Sequence, residues 1–135
     1  MKKIILTLFF ATVVFSQEYT KKNRIDDMQI MASAMANIEA GFLYNNNDLV
    51  KAGVIKLSDA IRRVEPPLEE KEEKDPMTRY MNKKVQFTDK ITKKIDKKAR
   101  LILERFNDND ISQAVQAYTK IIKACVNCHT EVRHW

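Results

Sequence analysis

Glycine and proline are scarce in this sequence: two glycines and three prolines in 135 residues. So few turn-forming residues argue against a fold that reverses direction often and favour a handful of long helices. No segment alternates apolar and polar residues with period two, so no sheet is expected. Beyond the N-terminal run described below, no apolar stretch approaches the ~20 residues of a membrane-crossing helix. The only two cysteines are Cys125 and Cys128, far from the N-terminus, so no lipid anchor through a modified N-terminal cysteine is expected. The formal net charge of +6 is mildly basic and makes no case for nucleic acid. No acid–base pair or activated nucleophile stands out, and no enzymatic activity is expected.

Residues 1–16 do not read as part of the fold. Lys2 and Lys3 precede an almost wholly apolar run, Ile4 to Phe15, and Val14-Phe15-Ser16 offers a cleavage site ahead of Gln17. This is the three-part pattern of a secretory signal peptide. Its apolar run would span about 18 Å as a helix, against a hydrocarbon core of about 30 Å, which disfavours a retained anchor. Removal takes away Lys2 and Lys3 and lowers the charge from +6 to +4. Residues 17–135 are expected to form one periplasmic domain with no stable membrane insertion.

Apolar spacing predicts four helices. The first carries Met28, Met31, Met35, Ile38 and Phe42 and ends near Tyr44-Asn45-Asn46-Asn47. The second carries Val50, Val54, Leu57, Ile61 and Val64 and stops at Pro66-Pro67. An acidic connector, Leu68 to Pro76, follows. The third runs from about Met77 to Phe106 with Tyr80, Phe87, Ile91, Ile95, Ile102 and Phe106 on one side. Lys84 and Lys98 fall on that same arc and must snorkel, neutralise a buried acid or mark a shifted register. Asn107-Asp108-Asn109-Asp110 breaks the third helix and caps the fourth. The fourth carries Ile111, Val115, Tyr118, Ile122, Cys125, His129 and Val132. Alternating steps of three and four place each set on one stripe, and the short connections favour an antiparallel up-down-up-down four-helix bundle.

Cys125-Val126-Asn127-Cys128-His129 is the haem c attachment sequence. Residues three and four apart share a helix face, so both thiols and the imidazole converge on one ligand. The thiols would add to the haem vinyl groups, and His129 would bind the iron. Other readings of the pair are weaker. A redox dithiol needs a strand-to-helix turn, a disulfide within one helix is strained, and zinc would want two further ligands where only His134 is at hand.

The chain resembles the class II c-type cytochromes, the family of cytochrome c prime and its low-spin relatives. The attachment sequence lies at the extreme C-terminus with Glu131-Val132-Arg133 trailing it, as in that family. The first helix opens with Arg24-Ile25-Asp26-Asp27-Met28, matching the family's arginine four residues before the distal position, and Met35 falls where members often have another methionine. The acidic connector and the lysine-rich third helix are not family features. The resemblance implies a four-helix bundle with one covalently attached haem c, His129 and Met28 on the iron, and Arg24 beside a propionate. An apolar residue at the distal position leaves iron open to small gases; a methionine closes it and makes an electron carrier. A one-electron shuttle is therefore expected, with a five-coordinate NO- or CO-binding protein as the alternative. A haem-bearing subunit of a larger respiratory complex is a third reading.

Tyr118, Phe42, Phe87 and Phe106 are candidates for the haem wall, and equally for ordinary core packing. Lys83, Lys84, Lys90, Lys93, Lys94, Lys97, Lys98 and Arg100 load the third helix with positive charge. Such a run is usually a solvated face, and its functional reading is steering of an acidic redox partner. Family members often dimerise through their first two helices, so a homodimer is the assembly that the resemblance suggests.

Overall fold

The computed structural model describes residues 19–65, 75–81 and 83–133, and all of its regular structure is helical. The helices are α1 (Lys21–Leu43), α2 (Asn47–Arg63), α3 (Pro76–Met81), α4 (Lys83–Asn107) and α5 (Ile111–Arg133). The predicted third helix is thus present as α3 and α4. The signal segment, Pro66-Pro67, most of the acidic connector and His134 lie outside the described residues. Among the described residues no helix is long and apolar enough to cross a membrane.

Two turns of one design organise the bundle. After α1, Asn45 takes a left-handed conformation at φ 49, and after α4 Asn109 does so at φ 58. Asparagine tolerates this region because its short polar side chain can bond locally. Each is the pivot of a Schellman motif. The Asn46 N–H donates to the Gly41 carbonyl at 2.8 Å, and the Asp110 N–H to the Arg105 carbonyl at 2.8 Å. The next residue's side chain then caps the following helix: Asn46 accepts from the Leu49 N–H at 3.1 Å, Asp110 from the Gln113 N–H at 3.1 Å. Asn47 donates to Asn107 at 2.9 Å, so both turns stand at the same end of the molecule. The four long helices therefore run up-down-up-down.

Helix α1 packs on α2, α2 on α4, and α4 on α5, with α3 lying against α4. Helices α1 and α5 approach one another closely only at isolated points. The core between them all is built from Ile38, Val50, Leu57, Ile95, Ile102 and Ile121, each fully buried.

Two stripes differ from the spacing-based expectation. On α1 the buried residues are Asp27, Met31, Ala34, Ile38 and Gly41, while Met28, Met35 and Phe42 are half-buried beside them. On α5 the buried residues are Ala114, Ala117, Ile121 and Ala124, whereas the expected Ile111, Val115 and Ile122 are exposed. The physical reason is the same in both helices. Small residues let helices approach closely, and α1 meets α2 where a β-carbon on Gly53 would stand 2.8 Å from the Ala34 carbonyl oxygen. Ala34 and Gly41 on α1, and the alanines on α5, form seams buried against the bundle. The larger residues next to each seam, about one position around the helix, are left facing outward or across the α1–α5 gap.

Lys84 and Lys98 are half-buried, as side chains that snorkel from an apolar arc are. The buried acid on that side is Asp96, held by Arg62 at 3.1 Å and Arg100 at 2.7 Å.

Candidate functional site

The gap between α1 and α5 is an apolar cleft of about 260 Å³. Met28, Met31, Ala32 and Met35 line it from α1; Ile122, Cys125, Val126 and His129 line it from α5. A smaller void of about 20 Å³ continues inward, walled by Met28, Met31, Cys125, Cys128 and His129 together with Ile61, Val64, Ile91, Thr92 and Ile95. Met28 sits near the start of α1 and His129 near the end of α5, which the antiparallel topology brings to one end of the bundle.

The motif straddles the two faces of α5. Cys128 continues the alanine seam, which runs 114, 117, 121, 124, 128 in steps of three and four, and it borders only the inner void. His129 and Cys125 border both spaces. Neither cysteine is in a disulfide, and both are half-buried. Burial pushes the Cys125 thiol up from its ordinary value near 9 to about 11, with the neighbouring Cys128 adding to the effect. A thiol in this environment is protonated at neutral pH, the opposite of the lowered value that a disulfide-exchanging cysteine needs. Among the described residues no three His, Cys, Asp or Glu side chains stand close enough to chelate a bare metal ion. Cys125, Cys128 and His129 are instead strung along α5, Cys128 on the seam face and Cys125 and His129 beside it toward the cleft. The rim carries Ile122 at 43% and Val126 at 52% exposure, large apolar side chains left facing water beside the cleft.

A charged cluster closes the same end of the bundle. Asp27, one residue before Met28, is 4% exposed. Arg63, the last residue of α2, donates to Asp27 Oδ1 from Nε at 3.0 Å and from a terminal nitrogen at 2.6 Å. The Tyr19 hydroxyl donates to Oδ2 at 3.0 Å. Burial, then the bond to Asp27, hold the Tyr19 phenol well above its ordinary range. The spacing-based reading missed this cluster. A visible signal existed: Asp27 lies on the 27-31-34-38-41 stripe, where an acid needs a partner.

Of the five expected site residues, the fold brings Met28, Cys125, Cys128 and His129 together. Arg24 does not line the cleft or the void. It is half-buried on α1, within electrostatic reach of Tyr19. The aromatic candidates lie elsewhere too. Phe42 packs on Phe106 with ring centroids 5.7 Å apart and edge-on to Tyr118 at 5.8 Å. Tyr118 donates to Glu39 at 3.1 Å, and burial with Glu39 pushes its phenol up to about 12. This group ties α1 to α5 at the turn end, and Phe87 packs against the core. Comparison with family models, with characterised proteins and with solved structures finds no match to this chain.

Proposed function

We propose that this protein is an exported c-type cytochrome, a one-electron carrier whose single haem is bound covalently in the α1–α5 cleft. The observation that carries the reading is the pairing of Met28 and His129 across one apolar cleft, with Cys125 and Cys128 on the same wall as the histidine. The residues fit the group in three respects. Cys125 is held as a protonated thiol, the form that adds across a vinyl group, and Cys128 stands about one helical turn further along α5. Cys125, Cys128 and His129 follow one another along α5 and, among the described residues, form no cluster that would chelate a bare ion. The exposed Ile122 and Val126 supply apolar rim for a flat, largely apolar ligand to cover.

A haem held there would supply reversible one-electron cycling of its iron. The chain's own part is to hold, orient and shield. Cys125 and Cys128 anchor the ring to α5. His129 offers an imidazole from the α5 side, and Met28 a soft thioether from α1, a donor that favours the reduced metal. Met31 and Met35 keep the cleft apolar and can adapt their shape to a ligand's outline. Arg24 and the cations of α4 lie outside the cleft, where they can meet propionates or an acidic partner.

The test is an absorption spectrum of the purified protein in both oxidation states, with and without carbon monoxide, together with haem-stained denaturing electrophoresis. The reading expects one stained band that disappears in Cys125→Ala/Cys128→Ala, a low-spin ferric spectrum with a weak sulfur-to-iron charge-transfer band, and slow carbon monoxide binding. A stained band in the double variant would end the attachment claim. A high-spin spectrum with ready carbon monoxide binding would replace the electron carrier by a gas-binding protein.

A further inference from the structure

The Tyr19–Asp27–Arg63 cluster does something that packing alone does not require. Asp27 is nearly excluded from water on an otherwise apolar stripe, and its two oxygens are taken by groups from two other parts of the chain. Burying a carboxylate with its partner is seldom a net gain over apolar packing, and its best-attested use is to fix register. The two ends of this pair are each followed by a wall residue of the inner void. Asp27 precedes Met28, and Arg63 precedes Val64. The pair therefore ties together two walls of the void at the level of the thioether. Helix α1 is tied to α5 at the turn end by Phe42, Glu39 and Tyr118, whereas at the Met28 end the Asp27 carboxylate ties α1 to α2 and to Tyr19.

We propose that Asp27, with Arg63 and Tyr19, is a positioning device for Met28: the ion pair locks the first turns of α1 to the end of α2 and so sets how far the thioether stands from His129's wall. This rests on the haem reading of the cleft. A binding constellation must be held to within about 0.5 Å of its productive geometry, and a thioether is a weak donor whose binding would depend on such support. Asp96 is the internal comparison. It is likewise a largely buried acid on an apolar stripe, held by Arg62 at 3.1 Å and Arg100 at 2.7 Å, and it does not line the cleft or the inner void. Loosening the bundle by removing either acid is a similar insult; only Asp27 adjoins the ligand.

The experiment uses the haem-loaded protein and compares wild type with Asp27→Asn, Tyr19→Phe and Asp96→Asn, each checked for native helix content by circular dichroism. Asp27→Asn should lose most of the sulfur-to-iron charge-transfer band and bind carbon monoxide at least tenfold faster. Tyr19→Phe, which deletes one hydrogen bond and no charge, should weaken the band in part, and it decides the question if Asp27→Asn does not accumulate. Asp96→Asn should keep the wild-type band and carbon monoxide rate. Wild-type behaviour in Asp27→Asn and Tyr19→Phe would overturn the positioning role while leaving Met28 ligation standing. Equal losses in Asp27→Asn and Asp96→Asn would overturn it too, as general loosening. A wild type without the band would remove the haem-ligation reading itself, and the proposal with it.

Discussion

Burial raises the Cys125 thiol from near 9 to about 11, and this has a consequence for the haem-free chain. The unfolded chain releases that proton from about pH 9 upward, while the folded chain keeps it until about pH 11. Folding stability from this group is therefore complete below pH 9 and lost as pH rises to 11, by about 2 kcal/mol. Urea titrations of the haem-free protein at pH 8 and pH 10.5 should show the fall, and Cys125→Ala should flatten it. The methionines divide by burial. Met31 is almost fully buried, so Met31→Ala should cost about 2–5 kcal/mol in the same assay. Met28→Ala, at a half-buried position, should cost less. In the loaded protein it should abolish the charge-transfer band, lower the potential and admit carbon monoxide, whereas Met35→Ala should leave the band intact.

The elements owe their ends to local chemistry and their pairing to close approach. Asn46 and Asp110 each cap a helix through one backbone N–H, so Asn46→Ala or Asp110→Ala should destabilise the bundle by about 1 kcal/mol in chemical denaturation. Gly53 sits mid-helix in α2, where alanine would ordinarily be the better helix former by about 1 kcal/mol. Here its β-carbon would lie 2.6 Å from Ile38 Cγ1 and 2.8 Å from the Ala34 carbonyl oxygen. The second of these is backbone and cannot rotate away. Gly53→Ala should therefore destabilise, by about 1–3 kcal/mol, and push α1 off α2. A stabilised variant would show that α1 can shift without loss.

At the scale of the whole molecule, α4 presents Lys83, Lys90, Lys93, Lys94 and Lys97 to solvent, with Asp89 exposed among them. If this face guides an acidic partner, reduction of the haem protein by that partner should slow as salt rises. The screening length shrinks from about 10 Å at 0.1 M to about 3 Å at 1 M. A salt-independent rate in stopped-flow mixing would leave α4 as a solvated face. If residues 1–16 direct export, mass spectrometry of periplasmic material should find an N-terminus at or near Gln17 and the mass of one haem.

The amino-acid sequence by itself determined where helices begin and end, because caps and left-handed asparagines act within five or six residues. Tyr44-Asn45-Asn46-Asn47 and Asn107-Asp108-Asn109-Asp110 were legible as breaks, and the structure turns both into Schellman–cap units. The placement of Cys125, Cys128 and His129 close together on one helix was legible for the same reason, since they lie within about one turn of α5. Which stripe each helix buries was not. Spacing measures where apolar side chains lie around an axis, and α1 and α5 each carry two adjoining stripes that satisfy it. The choice fell to the small-residue seams, because close approach is favourable only when a partner surface such as Gly53 is present to be approached. The α1–α5 cleft is the result of that choice, since each helix commits its seam to its neighbour in sequence and leaves its larger flank facing the other across the gap. The Asp27–Arg63 pair, 36 residues apart in the chain, has no local signature of its partner. Only the antiparallel packing of α1 on α2 sets the arginine beside the acid, and with it the end of the cleft where Met28 stands.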